Sequence, residues 1–140
     1  MNNFLLFETK YYQVFLNEDD QYYLGRSVVL LKRMARTLSE VTPEEWIDLG
    51  LVVRIYERAL KKAFNATNFN WSCTLNTAYQ NNPPDPQVYW HVRPRYRKQF
   101  TFNGQIFRDN LFGRHYQAKT KFLLSPQFHL RIAEEIRKYL

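Results

Sequence analysis

The residues best placed to do chemistry lie in one stretch, Pro86 to Tyr96, where polar and apolar types alternate. Gln87, Tyr89, His91 and Arg93 fall on one side; Val88, Trp90 and Val92 fall on the other. A β-strand sends successive side chains to opposite faces. The spacing therefore predicts a strand that packs three apolar groups into a core. Its other face displays an amide, a phenol, an imidazole and a guanidinium, about 6.6–6.8 Å apart. An imidazole, with an ordinary pKa of about 6.5, gives or takes a proton near neutrality. An amide donates and accepts hydrogen bonds but takes up no proton there. A phenol, with a pKa of about 10, is roughly 0.1% ionised at pH 7. Such a row is a set of functional groups displayed on a rigid element.

Taken alone, each candidate keeps an ordinary alternative. His91 could be a structural histidine, Asn76 an asparagine satisfying backbone at a strand end, and Asn17 a turn residue. Arg93, Arg95, Arg97 and Lys98, with Tyr96 and Phe100 interleaved, form a basic run. That run reads either as a solvated strand end or as a nucleic-acid footprint.

The segment His91-Val92-Arg93-Pro94-Arg95-Tyr96 resembles the end of the His-x-His-x-His signature of the histidine triad (HIT) family of nucleotide hydrolases and transferases. Gln87 stands at the first histidine's place. Tyr89 stands at the second, the family's nucleophile. His91 matches the third, which helps position the phosphate. Asn76, eleven residues before Gln87, matches an asparagine near the bound phosphate, and Asn17 resembles a position near the ribose. Tyr23-Leu24-Gly25-Arg26 through Leu31-Lys32-Arg33-Met34 is also similar to the family, with Met34 where a histidine is expected.

The resemblance implies a nucleotide or nucleoside phosphate as ligand, bound by Asn17, Asn76, Gln87 and His91. Because the nucleophile's place is held by a phenol, it also implies little of the usual hydrolase chemistry. Any residual catalysis falls to Tyr89 and His91. Two alternatives stay open. One is an active phosphohydrolase or nucleotidyl transferase using Tyr89 or an activated water. The other is a basic RNA-binding or interaction module on the same fold. The family also implies a homodimer, and nothing in it calls for a cofactor or a metal.

The elements that must hold this strand are legible around it. Tyr11–Leu16 and Gln21–Lys32 flank the turn-forming cluster Asn17-Glu18-Asp19-Asp20 and predict a hairpin. Gly25 within the second run predicts a bulge or a close backbone approach. Thr42-Pro43-Glu44-Glu45 is a capping box with proline at the first helical position. The apolar stripe Trp46, Leu49, Val53, Tyr56, Leu60 and Phe64 then runs a helix to about residue 64. Residues 69–76 alternate as a further strand. The proline-rich loop 80–86 that follows is expected to hang over the site. Asn103-Gly104 between alternating runs predicts a tight hairpin, residues 116–124 an extended piece, and Ser125-Pro126 the start of a last helix.

The expected fold is α+β: an antiparallel sheet of about five strands, one long helix and a C-terminal helical extension. A single domain of 140 residues is expected, with residues 11–97 as its core and 98–140 as the extension. A net charge of +7 favours anionic partners without specifying the fold. One cysteine, Cys73, excludes an internal disulfide. There is no run of about 18 apolar residues and no basic-then-apolar N-terminal leader, so no membrane association is expected and the cytoplasm is the expected location.

Overall fold

The structure is a computed structural model, and it describes residues 4–117 and 122–140. Five strands form one antiparallel sheet: β1 (Leu5–Glu8), β2 (Tyr12–Leu16), β3 (Ser27–Leu31), β4 (Asn68–Ser72) and β5 (Tyr89–Arg95). Their spatial order is β1-β2-β3-β5-β4, so the functional strand β5 lies inside the sheet and β4 forms an edge. A separate hairpin pairs β6 (Phe100–Phe102) with β7 (Gln105–Phe107). Helix α1 spans Pro43–Phe64 and α2 spans Pro126–Arg137.

Local sequence explains the helix ends. The Thr42 hydroxyl accepts from the Glu45 amide at 3.2 Å, and the Glu45 carboxylate reaches back to the Thr42 amide. Asn65 closes α1 in the left-handed conformation at φ 61°. Ser125 caps α2 by accepting from the Phe128 amide. The buried stripe of α1 is Leu49, Val52, Tyr56, Ala59, Leu60, Ala63 and Phe64, rotated from the expected one. Trp46 is 41% exposed and lies edge-on to Trp90, covering the strand's rim rather than filling the core.

One face of the sheet carries the core. Tyr12, Val14, Leu16, Val29, Leu31, Val88 and Val92 are buried with the inner faces of α1 and α2. Gly25 precedes β3 at φ 90°, and a Cβ there would sit 2.7 Å from the Leu60 side chain. It therefore marks a close approach of backbone to helix, not a bulge within a strand. Asn103 and Gly104 both take positive φ, 49° and 80°, as the two-residue hairpin requires. Two expectations need correction. β1 was not anticipated, and residues 116, 117 and 122–124 form no strand. The rest of that expected extended piece, residues 118–121, lies outside the described residues.

Candidate functional site

Antiparallel pairing places directly opposed residues on the same face of a sheet. Register therefore orders the face opposite the core into three rows. Leu30 faces Tyr89. Val28 faces His91, which faces Ser72 on its other side. Arg93 faces Asn70, and the Ser27–Val92 pair carries the register on toward Arg26. The face thus grades from apolar to cationic along β5.

At the apolar end lies a cavity of about 400 Å³, lined by Phe15, Leu16, Asn17, Glu18, Asp19, Val28, Leu30, Tyr89 and His91. This is the size of an ordinary small-molecule site, about 300–1,000 Å³. Strand alternation explains the lining. Phe15 on β2 and Val28 and Leu30 on β3 are the residues whose neighbours, Val14, Leu16, Val29 and Leu31, fill the core.

Tyr89 and His91 both line this cavity, their rings edge-on with centroids 4.9 Å apart. The His91 Nδ1 is buried without a hydrogen-bond partner among the described residues. Burial, then the Arg93 and Arg26 charges, pulls the His91 pKa down to about 4. The imidazole is therefore neutral at pH 7, and it meets a ligand with one N–H donor and one free nitrogen. Asn17 also borders the cavity, but its Oδ1 accepts from the amides of Asp19 (3.0 Å) and Asp20 (2.9 Å), shaping the turn.

Gln87 and Asn76 stand apart from this group. Gln87 precedes β5 and turns to backbone: Oε1 accepts from Ala35 N at 2.9 Å, and Nε2 donates to Leu31 O at 2.9 Å and Arg33 O at 2.7 Å. It clamps the chain leaving β3 and does not line the cavity. Asn76 is exposed at the start of a short 3-10 turn, Thr77–Gln80, and lies outside the cavity. The proline-rich loop leans toward Arg36, which donates to Pro84 O at 3.0 Å, and contributes nothing to the lining. Met34 is 63% exposed.

The basic run divides in two. Arg97 and Lys98 are exposed, whereas Arg93 and Arg95 are 6% and 3% exposed. The Arg95 Nε and Nη2 donate to the two Asp109 oxygens at 2.7 and 3.1 Å. Its remaining N–H groups donate to Asn70 Oδ1, Arg114 O and Leu111 O. Arg95 thereby fastens the 109–114 segment onto the sheet. Arg93 stacks over the Tyr116 ring at 3.9 Å and has no carboxylate partner among the described residues. Phe15, Val28, Leu30, Arg26 and Ser72 were not singled out from sequence. Pairing register across β2, β3 and β4 was the signal that would have found them.

No protein-family model matches the chain, and no curated protein matches it in sequence. Solved structures do match. A histidine triad protein from Sinorhizobium meliloti aligns with a TM-score of 0.73 at 18% identity, over 97% of this chain and 88% of that one. The Plasmodium falciparum diadenosine triphosphate hydrolase, in complex with cyclomarin A, aligns with a TM-score of 0.67 at 18% identity, over 99% and 77%. The Caenorhabditis elegans NitFhit protein aligns with a TM-score of 0.67 at 22% identity; 99% of this chain covers 27% of that longer one. The fold is that of the histidine triad proteins.

Proposed function

We propose that this protein binds a nucleotide without forming a covalent intermediate, on the open face of its sheet, and lacks the nucleotidyl-histidine chemistry of a complete triad. The observation that carries this is the 400 Å³ cavity, apolar at Phe15, Val28 and Leu30, polar at the Asn17–Asp19 turn, and bounded by Tyr89 and His91. A planar base suits the apolar wall, and ribose hydroxyls suit the turn. The neutral His91 offers one hydrogen bond to a phosphate oxygen. A phenol stands where an attacking imidazole would be needed. A diadenosine triphosphate hydrolase among the fold neighbours supports a nucleotide as the ligand class. Neither Gln87 nor Asn76 belongs to this binding set. The burial of Arg93 and Arg95 counts against an RNA footprint on that run.

Thermal unfolding with adenosine monophosphate tests the reading. At a hundred times the dissociation constant, binding adds about 2.7 kcal/mol of stability. Adenosine phosphoramidate and dinucleoside polyphosphates are expected to bind without turnover. An unchanged melting temperature overturns the binding reading. Turnover that disappears in Tyr89→Phe overturns the inactive one.

The same reading takes the protein to be one domain of 140 residues acting in the cytoplasm. No helix among the described residues is long and apolar enough to cross a membrane. β4 is an edge strand with one free side, which suits pairing with a second copy, and light scattering on the purified chain tests for a homodimer.

A further inference from the structure

The cationic end of the open face carries more unsatisfied polarity than its fold requires. Arg93 is 6% exposed as a residue, and its guanidinium lies over the Tyr116 ring, 3.9 Å from the centroid. Arg26, the residue before β3, approaches it closely enough that its charge, after burial, depresses the Arg93 pKa. Asp20 pairs with Arg26 at 2.9 Å and acts on Arg93 only as a nearby charge, without an ion pair to it. Around this pair lie three buried atoms without hydrogen-bond partners among the described residues: Arg26 Nε, Ser72 Oγ and His91 Nδ1. Two guanidinium groups against one carboxylate leave a surplus positive charge. Buried charge and buried orphan donors are costly unless something pairs with them. Cavities flank the cluster without being lined by either guanidinium: His91 borders the 400 Å³ cavity, while Ser72 and Tyr116 border a second one of about 600 Å³ beside β4.

We propose that Arg26, Arg93, Ser72 and His91 form a receptor for a phosphate oxyanion, so that the ligand's phosphate is held by a guanidinium pair rather than by a histidine triad. This deepens the nucleotide reading and rests on it only for what occupies the apolar end. A guanidinium offers paired N–H groups that match two phosphate oxygens. The Ser72 hydroxyl and the His91 ring supply further donors, each from an atom that now lacks a partner.

The test measures binding of adenosine, adenosine monophosphate and inorganic phosphate by calorimetry, to the full chain and to Arg93→Leu, Arg93→Lys and Ser72→Ala. In the wild type the monophosphate is expected to bind about 10- to 100-fold tighter than adenosine, the range for charge-assisted hydrogen bonds. Arg93→Leu should abolish that preference without lowering the melting temperature of the free protein. Arg93→Lys should restore part of it, and Ser72→Ala should reduce it. Equal binding of the monophosphate and adenosine, or a preference untouched by Arg93→Leu and Ser72→Ala, overturns the receptor. In the first of these cases the apolar pocket survives. If inorganic phosphate binds in an Arg93-dependent way while adenosine does not bind, the receptor stands and the nucleotide reading fails. No binding of any of the three overturns both.

Discussion

Arg93 and Arg95 are two residues apart on the same face of the same strand, and nearly equally buried, yet they are treated in opposite ways. Arg95 uses its guanidinium on Asp109, Asn70 and two carbonyls. Arg93 has a tyrosine ring and a second cation for company. Where the fold needs a cation, it supplies a complete set of acceptors. Among the described residues it leaves Arg93 incomplete, with orphan atoms of Ser72, His91 and Arg26 around it, and a bound oxyanion is the acceptor proposed for them.

The sharpest way to break this comparison is to remove the carboxylate from one arginine. Asp109→Ala strands a buried charge, and a loss of about 3–5 kcal/mol is expected from urea unfolding. Arg93→Leu removes an unpaired charge, so no comparable loss is expected. Equal losses from the two variants would erase the distinction. Gln87→Ala tests the other residue that serves the fold. It leaves Ala35 N, Leu31 O and Arg33 O short of a partner, so about 1–3 kcal/mol should be lost, with the nucleotide-induced melting shift unchanged.

The comparison can also be sharpened by pH. His91 is harder to protonate in the folded protein, at about 4, than in the unfolded chain, at about 6.5. Between these values the unfolded state binds more protons, so stability rises with pH. Its contribution is complete above about pH 6.5 and lost as pH falls toward 4. Unfolding midpoints of the wild type and His91→Asn should diverge across that window, with the shallower slope in the variant. A ring-proton titration near 6.5 would contradict the burial of this imidazole.

Much of the frame was legible because its signals are local. The Thr42–Glu45 capping box, the alternation of residues 87–93 and the Asn103-Gly104 turn each act within a few residues. β1 is short, and its identity comes from pairing with β2, where the register shifts between Leu5 and Phe7. The site was only half legible. Alternation placed Tyr89, His91 and Arg93 together. The direction of the Gln87 amide depends on carbonyls more than fifty residues away, and the fate of Arg95 depends on Asp109. Neither dependence leaves a trace in spacing. Arg26 and Ser72 join the cluster only through the pairing of β3 and β4 with β5.

The Gln87 clamp also limits the routes by which this chain can change. An imidazole has two ring nitrogens, whereas this amide fills three hydrogen-bonding positions on the backbone from Leu31 to Ala35. Exchanging it for histidine loosens that turn before any reactivity is gained at position 89. Residue 87 is thus tied to the chain from Leu31 to Ala35, so replacing it calls for a compensating change beside Ala35, whereas a change at residue 89 alters the cavity wall and leaves that clamp in place.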